Sequence, residues 1–383
     1  MLAGRHMRRK NLAPSTLTAR CHMNMVTGCV NAKNRGKCRS TKAAQLRRQR
    51  TLKYLEIDRS TANSILGGQN MRYGYYLPTR GPLSEPDAIG EMVGQGESMG
   101  FATIVIADHI VFPTKVESPY PYTVDGGFPG QGDALEQLSL MSFVAALTTT
   151  SRLVTSVMIL PHRNPVMTAK MLATIDVLSK GRVTVGVGVG WLREEFEALH
   201  AADFDKRGAV SNEYLEIFKK CWTEDPVSFE GEFYSFQELR CVPHPVQKPH
   251  PPIWIGGHSR PALRRAAKYA DGWHPVGATA ASPLPPPEFQ KLMNELKAMT
   301  EAEGRSFDEL FISLKAPSYD PGVTPAGHDR LPFSGEPGQV VEDIKAYEAL
   351  GVKEVIFDFR AAGYGETMAR MDHFMTKVVP QVN

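Results

Sequence analysis

From Met71 onward the chain alternates two patterns of apolar residues. Short runs that are apolar at nearly every position, such as Thr103–Ala107, read as strands buried on both faces, the pattern of a parallel sheet. Longer stretches with apolar residues three and four apart read as amphipathic helices. Arg72–Leu77, carrying Tyr73, Tyr75 and Tyr76, is the first strand and ends at the breakers Pro78-Thr79-Arg80-Gly81-Pro82. Pro86–Met99 follows as a helix with Ile89, Met92, Val93 and Gly96 on one face, stopped by Gly100. The alternation continues through strand Thr103–Ala107, helix Ala134–Thr148, strand Leu153–Leu160, helix Pro165–Ser179 and strand Val183–Val189. It resumes with strand Ile253–Ile255, helix Pro261–Ala270, strand Gly272–His274 and helix Pro286–Glu303. Strand Leu310–Leu314, helix Pro337–Leu350, strand Glu354–Phe359 and helix Glu366–Val378 complete it.

Eight strands, each followed by a helix, predict a (β/α)8 barrel, a fold of about 250 residues before insertions. A doubly wound α/β sheet is the structural alternative. The interruption after the fourth strand, between Trp191 and Pro252, is an insertion. It holds a helix over about Lys206–Thr223 and a hairpin, Val227–Phe236, turning at Glu230-Gly231-Glu232. The hairpin aromatics Phe229, Phe233, Tyr234 and Phe236 are either local packing or a lid over the site.

Charge divides the chain differently from apolar pattern. The whole carries 44 Lys/Arg and 41 Asp/Glu, but residues 1–70 hold 15 of the former and 2 of the latter, net +13. The remaining 29 and 39 give residues 71–383 a net of −10. Residues 1–70 also lack apolar periodicity, so they are expected to be a basic extension of low order, separate from a folded domain over 71–383. A nucleic-acid arm, a transit peptide and a zinc site at Cys21, His22, Cys29 and Cys38 are alternatives, the last lacking the paired C-x₂₋₄-C spacing. The plainest reading is an extension, or upstream sequence translated from an early start, with Met71 opening the folded protein and no specific nucleic acid bound. Apolar runs stay far below the ~20 residues of a membrane-spanning helix, so no membrane is expected. Five cysteines, an odd number, argue against a disulfide framework and for a cytoplasmic protein.

In barrel enzymes the chemistry sits at the C-terminal ends of the strands, which turns the strand order into a site. Asp108-His109 follows the second strand, Ser156-Val157 lies in the third, and Gly186–Trp191 ends the fourth. His109 is the candidate for proton-linked catalysis, since an imidazole titrates near neutral pH. Asp108 is its acidic neighbour, catalytic or a binder of ring and hydroxyl groups. Gly256-Gly257-His258-Ser259 leads from the fifth strand into a helix, where paired glycines and unpaired amides suit a phosphate. Gly188 and Gly190 open space for a flat ligand, while Tyr76, Trp191 and Trp273 are placed to line a substrate pocket. The G-x-G-x-x-G dinucleotide fingerprint fails at Trp191 and Arg193, and no H-E-x-x-H, G-x-S-x-G or P-loop element occurs. No metal site is expected.

Together these segments resemble the bacterial-luciferase-like (luciferase-like monooxygenase) family. The carrying residues run from Tyr73 to Thr79, through Ala107-Asp108-His109 and Thr155–Pro165, to Gly188–Glu195. They continue at Trp222-Thr223-Glu224-Asp225, Pro252–Ser259 and Ala270–Trp273. The resemblance implies a (β/α)8 barrel holding coenzyme F420 or, alternatively, FMN across the strand ends, with Asp108 and His109 toward ring or substrate. It implies a non-prolyl cis bulge at Ser156-Val157 and the cofactor phosphate at Gly256, Gly257 and Ser259. It is nearest to the probable F420-dependent branch, which implies hydride transfer to or from a small organic substrate, and a homodimer. Ile110-Val111-Phe112-Pro113 after the histidine, and Trp191 after the glycines, depart from the sugar-phosphate dehydrogenase branch. A two-component monooxygenase fed by a separate flavin or F420 reductase, and a flavin-binding barrel without turnover, are the alternatives. A barrel isomerase or aldolase would require a strand-end lysine or glutamate pair, for which Lys315 is the one lysine in place.

Overall fold

The computed structural model describes residues 71–128, 133–321 and 330–382. The extension over 1–70 and its cysteines lie outside the described residues.

Eight parallel strands close into a barrel. In chain order they are β1 (Arg72–Tyr76), β2 (Thr103–Ile106), β3 with β4 (Arg152–Thr155, Met158–Ile159), and β5 (Val183–Gly188). After the hairpin β6 (Val227–Glu230) and β7 (Ser235–Leu239) come β8 (Ile253–Gly256), β9 (Gly272–His274), β10 (Phe311–Ser318) and β11 (Glu354–Asp358). Neighbours run β3-β2-β1-β11-β10-β9-β8-β5, and the β3–β5 pairing closes the ring. Every pairing in it is parallel, as βα crossovers require. The strand interiors are buried on both faces, which is why they read as unbroken apolar runs.

The outer helices are α1 (Pro86–Met99), α2 (Gln137–Leu147), α3 (Pro165–Leu178), a short α4 (Arg193–Ala198) and α5 (Arg207–Thr223). They continue as α6 (Arg260–Tyr269), α7 (Pro286–Ala302), α8 (Pro337–Ala349) and α9 (Tyr364–His373), with a π-helical stretch Phe374–Val378 behind the last. Starts and stops follow local chemistry. Gly100 at φ 97° closes α1, and the Asn164 side chain accepts the Met167 amide at the head of α3.

Two expectations change on contact with the fold. The third strand is not continuous from Leu153 to Leu160. It breaks at Ser156-Val157, whose peptide bond is cis, and a 3₁₀ turn Leu160–His162 replaces its end. The insertion is also less foreign than its position suggested: α5 packs on α3, with the Trp222 indole donating to the Ala169 carbonyl, and serves as the barrel's fourth helix. The hairpin is fastened to α5, where Glu213 accepts the Phe233 and Tyr234 amides, and none of its residues lines the main cavity. Local packing, not a lid, is its role.

Candidate active site

One cavity of about 830 Å³ occupies the C-terminal mouth of the barrel. That volume lies within the range of ligand sites, about 300–1,000 Å³. Tyr76, Asp108, His109, Ser156, Val157, Gly188, Gly190, Trp191, Gly256, Gly257 and Ser259 all line it. Two residues of the sequence expectation do not. The Trp273 ring is fully buried, stacks on Phe289, and sends its indole N–H to the Gly257 carbonyl, so it supports the glycine turn from behind. His258 faces a smaller cavity beside Ser282 and Glu288, because the left-handed Gly257 (φ +82°) turns the next side chain away.

His109 is held from one side only. Its Nδ1 lies 2.9 Å from Glu195 Oε2, and Nε2 has no protein partner among the described residues. Burial raises the Glu195 carboxyl, but the His109 hydrogen bond, the charges of His109 and His162 and the Ile110 amide outweigh it. The carboxyl lies below the usual glutamate range. An ionised Glu195 accepts from Nδ1–H, which fixes the orientation of the ring and leaves Nε2 as its unpartnered nitrogen among the described residues. The position of Glu195 in the first turn of α4, after the fourth strand, carries no signal in the sequence that it crosses to the second.

Asp108 is engaged differently. Its Oδ1 and Oδ2 accept a bidentate pair from Arg163 at 2.7 Å each, and Oδ2 also takes the Ile159 amide at 2.8 Å. A carboxylate with its lone pairs so committed fixes the turn after β4 and is poorly placed to move a proton. The geometry therefore separates the two neighbours: His109 is available and Asp108 is structural.

A polar chain runs inward from the cavity wall at Ser156 and His274. Ser156 Oγ lies 3.0 Å from His274 Nε2, and His274 Nδ1 lies 3.0 Å from Ser313 Oγ. Ser313 donates onward to Glu354 at 3.3 Å. Burial, aided by the Lys315 charge, pushes His274 down to about 3, so it is neutral and orients the Ser156 hydroxyl without adding charge. Val157 sits between two glycines: a Cβ at Gly188 would come within 2.7 Å of its Cγ2, and one at Gly256 within 2.7 Å of its Cγ1. Those glycines let the Ser156-Val157 bulge project into the mouth.

The turn after β8 brings the N-terminus of α6 to the cavity. Ser259 occupies the N-cap of α6 but makes no side-chain capping bond, which leaves its hydroxyl to a ligand. Arg207 and Arg265 join it at the cavity wall. Their hydrogen bonds go to the carbonyls of Gly190, Phe204 and Gly208 and to Asn212, and neither has a carboxylate partner among the described residues. Two such guanidiniums beside a helix N-terminus suit a phosphate. Neither was singled out from sequence, because one opens the insertion helix and the other lies well inside α6.

The cover comes from the long β2–α2 connection. Phe112, Tyr120 and Phe128 pack with Trp191 and His109, ring centroids 4.4–6.3 Å apart. Two adjacent acids clasp this segment: Glu194 accepts the Glu117 and Ser118 amides and the Ser118 hydroxyl, and Glu195 the Ile110 amide. The result is an aromatic wall packed against His109. Among the described residues no three His, Cys, Asp or Glu side chains are grouped to hold a metal ion. No described helix is long and apolar enough to cross a membrane.

Comparison with known proteins places this geometry. The family model for luciferase-like monooxygenase matches residues 71–320. An uncharacterized protein of Mycobacterium tuberculosis is 33% identical over 268 residues, 69% of this chain and 82% of that protein. An FMNH2-dependent dimethylsulfone monooxygenase of Pseudomonas putida is 40% identical over 165 residues, 42% of this chain and 44% of that one. Among solved structures, an F420-dependent secondary alcohol dehydrogenase superposes with a TM-score of 0.65 at 15% identity, covering 82% of this chain and 99% of its own. The last likeness is one of fold.

Proposed function

Because the chain belongs to the luciferase-like monooxygenase family, we propose that it is an oxidoreductase moving a hydride between coenzyme F420 and a small organic substrate in the barrel mouth. The observation that carries this reading is His109, with Nδ1 fastened to Glu195 and Nε2 turned to the cavity. Converting a carbinol to a carbonyl, or back, moves one proton on oxygen besides the hydride, and an imidazole backed by a carboxylate is suited to carry it. The bound deazaflavin would supply the hydride chemistry, and the protein the orientation. Nε2 takes or returns the proton, Glu195 balances the charge on the ring, and the aromatic cover excludes water. Gly256, Gly257, Ser259, Arg207 and Arg265 would hold the phosphate. Ser156 and Val157, between Gly188 and Gly256, would support the ring, while Tyr76 and Trp191 would bound the substrate.

A second reading, an FMN-dependent monooxygenase served by a separate reductase, draws on the likeness to the Pseudomonas dimethylsulfone enzyme. Titration of the protein with F420 and with FMN, each oxidised and reduced, separates the two. Preferred binding of F420 is expected. Tight binding of reduced FMN alone moves the reading to the monooxygenase, and binding of neither overturns both.

The protein is further proposed to be a homodimer. Neighbouring helices α2 and α3 expose Phe143, Leu147, Met167 and Leu178, the last two at 62% and 63%. Apolar side chains so exposed on adjacent helices suit an isologous contact. Sedimentation velocity is expected to give a dimer that a paired Met167→Glu and Leu178→Glu variant converts to monomer. A monomeric wild type rejects the proposal.

A further inference from the structure

The cavity has a second cationic pole that the redox reading does not use. Lys315, on the seventh barrel strand, places Nζ 4.2 Å from the centroid of the Tyr76 ring. The Arg360 guanidinium, after the eighth strand, lies 5.4 Å from that same centroid, and Arg80, beyond the first strand, stands 5.2 Å from the Phe128 ring. All three cations line the cavity.

We propose that this pole binds a compact oxyanion on the substrate, a carboxylate at Lys315, so that the enzyme acts on an organic acid with a flat or apolar body. The inference rests on the barrel mouth being the active site. Charge at the pole does not cancel internally. Asp358 gives both oxygens to Arg360 at 2.5–2.9 Å, which neutralises that guanidinium. Asp108, the next carboxylate, is occupied by Arg163 and the Ile159 amide. Lys315 has no carboxylate within ion-pair distance among the described residues, and His274 beside it is neutral. The Lys315 and Arg80 charges are left over.

Burial pushes the Lys315 ammonium down to about 8, so it stays mostly charged at neutral pH while lacking much of its hydration. A charge in that condition gains most from a counter-ion that arrives with the ligand.

Position separates this pole from the phosphate cradle. Around the ring, β10, β11 and β1 are consecutive, whereas Gly257 and Ser259 follow β8, on the far side of β9. Arg207, the first residue of α5, and Arg265, midway along α6, line the cavity with them. The two poles are therefore carried by different strands of the ring. His109, after β2, and the aromatic cover lie within reach of the Lys315 side, where Arg80 touches Phe128. An acid with a planar body would set its carboxylate at Lys315 and its reacting carbon toward His109.

The test uses benzoate and its neutral isostere benzamide as probes, with calorimetry on the full chain, alone and with its reduced cofactor. Wild-type protein is expected to bind benzoate at least tenfold more tightly than benzamide. Lys315→Gln should weaken benzoate at least tenfold, leave benzamide and cofactor within twofold, and be rescued by Lys315→Arg. Equal affinity of wild type for the two probes overturns the proposal. So does a Lys315→Gln variant, folded by circular dichroism, that loses cofactor affinity and keeps benzoate. Selective benzoate binding by a protein that takes neither F420 nor FMN upholds the anion site and rejects the redox reading.

Discussion

His109→Gln is expected to lower turnover by about 10²–10⁴-fold, the usual worth of a positioned acid or base, while cofactor affinity changes less than about twofold. The two effects separate because His109 follows β2, whereas Gly257 follows β8, three strands away around the ring. Glutamine keeps a donor toward Glu195 and fills similar space, so the loss reads proton transfer rather than collapse. Glu195→Gln should lose less, about tenfold, because it removes the partner and not the acting group. Steady-state kinetics on the preferred cofactor, with stopped-flow measurement of the reductive step, checks both. A His109→Gln variant within about threefold of wild type in that step removes His109 from the chemistry. Acidification acts on the same pair. The Glu195 carboxyl is depressed on folding, so its support of His109 is complete above the ordinary glutamate range and is lost as pH falls through the lowered value. Activity should decline on the acid side before the fold does.

Much of the frame was written in local pattern. Thr103–Ile106 and Val183–Gly188 are apolar on both faces because helices cover one side of the barrel wall and the opposite strands the other, so period alone identified them. Residues at strand ends, Asp108 and His109 among them, were therefore placed without knowing any distance. What sequence left out depends on closure of the ring. Glu195 and His109 are 86 positions apart and meet at 2.9 Å only because the β5–α4 turn folds back over the second strand. Arg207 and Arg265 belong to different helices that converge on one turn. Trp273 and His258 fell on the wrong side of the wall for a different reason. A three-residue strand such as Gly272–His274 gives too few positions to fix which face looks inward, and a positive φ at Gly257 reverses the alternation. The aromatics of the cover are spread through a loop without period, whereas those of the hairpin lie close together in sequence, so pattern marks the hairpin and not the cover.

Placing a carboxylate in the phosphate cradle should have the other large effect. Gly257 has φ +82°, a conformation that asparagine and aspartate tolerate better than other side chains, and the nearest atom to a Cβ there is the Ala262 methyl at 3.7 Å. Gly257→Asn and Gly257→Asp therefore bring similar backbone cost and nearly equal volume, and differ by one negative charge. Opposing a phosphate with a carboxylate at close range costs several kcal/mol, and each 1.4 kcal/mol is tenfold in affinity. Gly257→Asp is expected to weaken phosphate-bearing cofactor by about 10²–10³-fold and Gly257→Asn by about tenfold or less. Riboflavin, which has the ring of FMN without its phosphate, should bind both variants alike. The contrast is needed because a general loosening of the β8–α6 turn would weaken FMN and riboflavin together. Arg265→Gln approaches the same question from the cationic side: it should lower affinity for phosphate-bearing cofactor about tenfold and sparingly affect riboflavin, since Arg265 stands at the cradle without a carboxylate partner among the described residues. If Gly257→Asp and Gly257→Asn bind FMN and F420 equally, no phosphate lies at this turn, and the axis from cradle to His109 on which the hydride reading depends must be redrawn.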